Sequence, residues 1–253
     1  MFKTWRFCIL LSFFLLLPQR VYASALGSGL ELAVSYGYDN LAKGGSYLPI
    51  HVEYQNGGED FSGKVRFLVK EADSLVYSYS YPVAVPGGGI QRSDYYIKIS
   101  SFVKKIHIQV LDSHGVVKNL YEMELNSLAD ASRVMVGILS DTPEKLRYFN
   151  NAEIRYGLLS LETVELTAEN FPAGFAGLEQ LDIIIISNYR IRDLSTDQSR
   201  ALMDWVKEGG VMLLGTGKRA DDTIGRYAPE LLEDMYESPK EAEIDLGLGG
   251  GEE

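Results

Sequence analysis

The stretch Leu181–Gly217, LDIIIISNYRIRDLSTDQSRALMDWVKEGGVMLLGTG, reads as strand, loop, capped helix, stop and second strand. Ile183–Ile186 are four isoleucines in a row, and a strand apolar on both faces suits the interior of a parallel sheet. Ser195 is placed to cap the helix that follows, and Gln198 three residues on completes a capping box. Ala201, Leu202, Trp205 and Val206 make one apolar stripe at helical spacing. Gly209-Gly210 ends the helix, Val211–Leu214 is the next apolar strand, and Gly215-Thr216-Gly217 turns the chain. This is one βαβ unit, a crossover that is almost always right-handed.

Upstream, Arg133–Leu139 is an apolar strand that runs into Ser140-Asp141-Thr142-Pro143. Thr142 as cap and Pro143 at the first position predict a helix to about Asn150. Leu161–Leu166 reads as a further strand. Sheets of this type bind ligands beyond the carboxyl ends of their strands. The candidate ligand-binding residues are therefore Ser140, Asp141, Asn188, Arg190, Thr216 and Lys218, with Arg219 adding positive charge. Gly217-Lys218 is not a phosphate loop, because Met212 and Arg219 stand where that motif needs glycine and a hydroxyl residue.

Ahead of a short linker at Asn126–Ser132, residues 28–126 have another rhythm. Short runs of period-two alternation, such as Leu48, Ile50, Val52 and Tyr54, are separated by turns such as Asn56-Gly57-Gly58 and Pro86-Gly87-Gly88-Gly89. About seven such runs predict an antiparallel β-sandwich. Within Leu75–Val85, residues Leu75, Tyr77, Tyr79 and Tyr81 share one face. Such a row is either a half-buried pleated surface or a platform on which sugar rings stack. His51, His107 and His114 are the only histidines, and none stands at a metal-ligand offset from another ligand residue. No cofactor is expected.

The chain has 253 residues and a formal net charge of -11. Lys3, Arg6 and Arg20 are the only charges in the first 25 residues, so the remainder holds 21 basic and 35 acidic groups, or -14. That surface repels phosphate backbones, which excludes nucleic acid as a partner class. Residues 1–25 read as a secretory signal peptide: a basic start, an apolar run Phe7–Leu17, Pro18, and Ala23-Ser24-Ala25 before the expected cut. Cys8 lies in that run and is the only cysteine, so the expected mature chain has neither disulfide nor thiolate. Residues 228–253 form an acidic, glycine-rich tail, with Leu231, Leu232 and Met235 as a last short helix. After Gly217 no further convincing strand follows, which predicts an incomplete sheet, from either a truncated reading frame or a fragment of a longer protein whose membrane spans lie beyond Glu253. Membrane contact is expected only in that case or if the leader stays uncleaved.

The pattern LDIIIIS, LS-x-x-Q, AL-x-x-WVK-x-GG-x-x-LLGTG within Leu181–Gly217 resembles class I glutamine amidotransferase-like (flavodoxin-like) domains, a likeness that covers about residues 131–227. With a sandwich ahead of it, the chain resembles bacterial proteins predicted to be exported or membrane-anchored, of unassigned role. The resemblance implies an Ig-like β-sandwich followed by a flavodoxin-like parallel-sheet domain, a β + α/β class. In catalytic members the nucleophilic cysteine follows the strand that here is Val211–Leu214. This chain has Gly215-Thr216-Gly217 there, and residues 131–253 hold no histidine. Cysteine–histidine chemistry needs both groups in one pocket, so no catalytic residue carries over. The expected function is a non-catalytic exported module, a scaffold or binding component that meets an envelope component or another protein. The alternatives are carbohydrate binding on the tyrosine face, and a hydrolase using Asp141 and Asp193 as a carboxylate pair.

Overall fold

A computed structural model describes residues 22–23, 29–72, 75–126, 128–129, 132–150, 152–154, 159–215 and 219–224. The expected leader (apart from 22–23) and the acidic tail, with its expected helix, lie outside these residues. The chain divides into two units, Met1–Asp130 and Ala131–Glu253.

In the first unit the strands are β1 (Tyr22–Ala23), β2 (Leu30–Tyr36), β3 (Ala42–Lys43), β4 (Tyr47–Asn56), β5 (Phe61–Ala72), β6 (Leu75–Val85), β7 (Ile90–Lys98), β8 (Lys105–Asp112), β9 (Val117–Glu124) and β10 (Leu128–Ala129). Two four-stranded antiparallel sheets result, ordered β1-β2-β4-β7 and β6-β5-β8-β9. Alternation decides which residues face inward. From the first sheet these are Leu30, Leu32, Leu48, Ile50, Val52, Tyr54, Tyr95 and Ile97; from the second, Val65, Phe67, Val69, Val83, Val85, Ile106, Ile108 and Val110. All belong to one buried core, so the sheets pack as a sandwich. Buried polar groups tie the layers. Asn56 Nδ2 donates to the carbonyls of Glu59 (2.6 Å) and Val85 (3.1 Å), and Asn119 Nδ2 donates to that of Leu30 (2.7 Å). Tyr54 and Tyr95 share a hydroxyl–hydroxyl bond of 2.9 Å in the core, where burial holds the Tyr54 phenol far above its ordinary range.

The second unit holds β11 (Arg133–Leu139), β12 (Glu153–Ile154), β13 (Leu159–Leu166), β14 (Ile183–Ile186) and β15 (Val211–Leu214) in the order β12-β13-β11-β14-β15. The β13, β11, β14 and β15 ladders are parallel, while β12 runs antiparallel to β13. Ser195 accepts from Gln198 N, and Gln198 reaches back to the Ser195 N–H, so the expected capping box forms and starts the helix Thr196–Lys207.

The expected β + α/β class is nevertheless overturned. Strands make up 52% of the structure, helices are few, and the two sheets that hold most of the strand residues are antiparallel; the chain is a β-rich fold. The physical reason lies in the connections. Pro143–Phe149 is a 3₁₀ segment with no buried residue, and the Thr142 side chain does not cap it. The Thr142 hydroxyl accepts instead from Asn188 Nδ2 at 3.3 Å. Among the described residues, Thr196–Lys207 is the only α-helix longer than four residues. On one sheet face Val136, Ile138 and Ile185 are covered by Leu146 and Phe149, but Val211 and Leu213 at the edge remain 47% and 48% exposed. A sheet clad in helices on both faces would bury them, so among the described residues β15 is an edge and not the interior strand its apolar run suggests.

Gly210 fixes how the helix returns to β15. A Cβ there would meet Trp205 ring carbons at 2.2 to 2.5 Å. Overpacking of this kind costs about 1–3 kcal/mol. Gly210→Ala should lower the stability of the second unit by that amount in urea unfolding, followed through Trp205 fluorescence.

Candidate functional site

The candidate residues of the second unit converge where β11 and β14 end side by side. Ser187 N donates to the Leu139 carbonyl at 3.2 Å, and Asp141 N to the Asn188 carbonyl at 3.3 Å, so the two exit loops run together. Asn188 sits at φ 50, a left-handed turn that asparagine tolerates, and its side chain thereby reaches Thr142. Thr142 N in turn donates to Ser140 Oγ at 3.1 Å.

Arg219 closes the cluster. Its Nη1 bonds Asp141 Oδ2 and reaches the Asn188 carbonyl at 3.5 Å, while Nε bonds Asp222 Oδ2 at 3.2 Å. The Asp141 hydrogen bond, followed by that of Asp222, raises the guanidinium's pKa further above its ordinary value. Thr223 Oγ1 donates to the Tyr189 carbonyl at 3.2 Å. Burial, and then the charges of Asp193 and Asp141, push the Tyr189 phenol up.

Ser140, Asp141 and Asn188 therefore stand together, joined by Thr142 and Arg219. Arg190 does not join them: its ion pair is with Asp193 at 3.9 Å, both side chains about half exposed. Thr216 and Lys218 lie outside the described residues. Asp222 is absent from the sequence-derived set, although its position three residues after Arg219 is a helical ion-pair spacing.

The expected carboxylate pair finds its members separately occupied, Asp141 by Arg219 and Asp193 by Arg190. The two side chains are 47% and 50% exposed, each beside an arginine. Nor is there room for a nucleophile at residue 215, because a Cβ on Gly215 would lie 2.6 Å from Ser187 Oγ and 2.9 Å from Ser187 Cβ.

In the first unit the tyrosine row divides. Tyr79 and Tyr81 are partly buried against the core, and their hydroxyls donate to the β7 carbonyls of Lys98 (3.3 Å) and Tyr96 (2.9 Å). Tyr77 is 44% exposed. What continues outward from the core is thus one tyrosine beside Leu75 rather than a three-ring platform. Among the described residues no group of three metal-binding side chains occurs. Each histidine instead has a local polar partner: Asp94 for His51, Glu122 for His107, and Ser113 for His114. Asp94 faces His51 across the β4–β7 register, a proximity no sequence offset displays.

A family model described as a domain of unknown function (DUF8726) matches residues 29–127, the strands of the sandwich. No curated protein matches the chain. Among solved structures it is similar to Northeast Structural Genomics Consortium target SoR45, with 10% identity and a TM-score of 0.29 over 40% of this chain and 89% of that one. It is also similar to a Paenibacillus sp. cycloisomaltooligosaccharide glucanotransferase, at 13% identity and a TM-score of 0.30 over 72% of this chain and 27% of that one. A third similarity is to the CBM22-1–GH10 modules of Clostridium thermocellum endo-1,4-beta-D-xylanase 10B, at 9% identity and a TM-score of 0.25 over 78% of this chain and 46% of that one. At these TM-scores the likenesses carry no argument about what this chain does.

His51 supplies a pH signature. Nδ1 lies 2.8 Å from Asp94 Oδ1 and Nε2 lies 3.3 Å from the Gly37 carbonyl, and only the doubly protonated ring donates to both. Burial opposes the charge, but the Asp94 hydrogen bond and charge and the Gly37 carbonyl outweigh it and raise the pKa above 6.5. A histidine raised on folding stabilises fully below its unfolded pKa, and that contribution disappears as pH rises through the folded value. For a partly exposed pair the effect is about 0.5–1 kcal/mol. Urea midpoints of the wild type should therefore fall, relative to those of Asp94→Asn, as pH rises above about 6.5.

Proposed function

We propose that this chain is a non-catalytic scaffold or binding component exported to the cell envelope. The observation that carries the reading is the closed polar cluster at the strand ends. Arg219 satisfies Asp141, Asp222 and the Asn188 carbonyl at once, while the Asn188 side chain engages Thr142. Charged groups that neutralise one another hold loops in place; catalysis needs groups held ready for a substrate. The crowding at Gly215 and the absence of cysteine after Cys8 support the same view. Export rests on the leader pattern of residues 1–25. Among the described residues no helix is long and apolar enough to cross a membrane. Cleavage after Ala25 would also remove β1, whose two residues pair with Leu32 and Ala33 of β2.

Two measurements on the full-length chain test this reading. Expressed with its leader in a bacterium, it should be recovered outside the cytoplasm with Leu26 as its first residue. The purified protein should turn over no amide, ester or glycoside substrate above the buffer rate. Retention in the cytoplasm would defeat export, and turnover abolished by Thr216→Ala or Asp141→Asn would defeat the non-catalytic reading.

A further inference from the structure

Strand β6 is one edge of the β6-β5-β8-β9 sheet. Long edge strands invite pairing with other chains and are ordinarily guarded by charge. Two other long edges here, β9 and β7, are guarded. β9 carries Lys118, Glu122 and Glu124, and β7 carries Arg92, Asp94 and Lys98. Two β7 carbonyls are in addition taken by the Tyr79 and Tyr81 hydroxyls. β6 is eleven residues long, LVYSYSYPVAV, with no charge. Leu75, Val76 and Tyr77 are 44%, 54% and 44% exposed, although successive residues point to opposite faces.

The register shows which backbone groups are free to pair. Antiparallel ladders alternate residue pairs that exchange hydrogen bonds with pairs that do not. Pro82 stands opposite Lys64 and has no N–H, which assigns it to a non-exchanging pair. Ser80, Ser78 and Val76 follow at steps of two, opposite Arg66, Leu68 and Lys70, and share that class. Their N–H and C=O groups therefore point away from β5, out of the sheet's free edge. We propose that this edge is a homodimer interface, in which β6 of one copy pairs antiparallel with β6 of a second copy about a two-fold axis at Ser78.

In that register Ser78 faces its own copy and Val76 faces Ser80. Three pairs then exchange two bonds each, and the ladder ends at Pro82, which has no N–H to give. On the other face Tyr77 meets Tyr79 and Leu75 meets Tyr81, cross-strand pairs of a stabilising kind that cover the exposed Leu75 and Tyr77. Among the surfaces that two copies could share, charge favours this edge. Two chains of net charge -11 repel each other, and a neutral strand laid on a neutral strand is where they can touch without opposing like charges.

Sedimentation velocity of the full chain over a concentration series is the test. The wild type should show a monomer–dimer equilibrium. Ser78→Pro removes an outward N–H used twice in the dimer and should weaken association about tenfold or more, with the circular dichroism and unfolding midpoint of the monomer kept. Ser78→Lys, which changes only an exposed side chain, should weaken it as well and keeps the test readable if the proline variant fails to fold. In a Cys8→Ser background, Ser78→Cys should crosslink to itself with a short bis-maleimide, since facing Cβ atoms lie about 4.5–5.5 Å apart. Ser113→Cys, on the exposed β8–β9 turn, should not. A wild type that stays monomeric throughout, a dimer unaffected by the folded Ser78 variants, or equal crosslinking at residue 113 would each overturn the proposal.

Discussion

Tyr81 stands where the two sheets of the first unit meet at one side. Its ring packs 6.1 Å from Phe67 and 5.0 Å from Tyr95, and its hydroxyl bonds the Tyr96 carbonyl. One residue thereby joins strands of both layers and occupies an edge group of β7 that would otherwise face outward. The β4–β7 register makes that carbonyl accessible. Pro49 lies opposite Tyr96 and has no N–H, so the Tyr96 carbonyl points away from β4. Burial, then neighbouring Tyr79, Tyr47 and Tyr95, push the Tyr81 phenol up and keep it a donor at ordinary pH. With β7 closed in this way, the free edge of that side is β6.

The second unit meets a comparable constraint with charge. The parallel strands β11 and β14 deliver their loops to one place, and the backbone there needs partners. Asn188, in a left-handed turn, and Arg219 supply them. The resulting arrangement is a network of mutually paired polar and charged groups at the strand ends.

Much of this is legible in the sequence where the signal is local. The Ser195–Gln198 capping box, the alternation along Tyr47–Tyr54 and the Gly209-Gly210 stop each depend on neighbours within a few residues. The fold class is not legible in the same way. A run such as Val211–Leu214 reads alike whether helices cover both faces or leave one bare, and Thr142 reads as a cap until Asn188 competes for its hydroxyl. At the site, Ser140, Asp141 and Asn188 follow from the rule that strand ends carry loops. Arg190 stands apart from them, paired with Asp193, and Asp94 cannot be found for His51 because the pairing crosses between β4 and β7. The tyrosine row shows the same limit: period two places Tyr77, Tyr79 and Tyr81 on one face, but only the opposite sheet determines how far along the strand that face is covered.

Tyr79 and Tyr81 are structural ties between the two sheets of the first unit. Equilibrium unfolding of Tyr81→Phe beside Tyr77→Phe measures this directly. Loss of the Tyr81 hydroxyl should cost about 1 kcal/mol, the usual net value of such a bond, while Tyr77→Phe, at an exposed position, should stay within about 0.5 kcal/mol of the wild type. A Tyr81→Phe protein as stable as the wild type, or a Tyr77→Phe loss as large as that at residue 81, would contradict it.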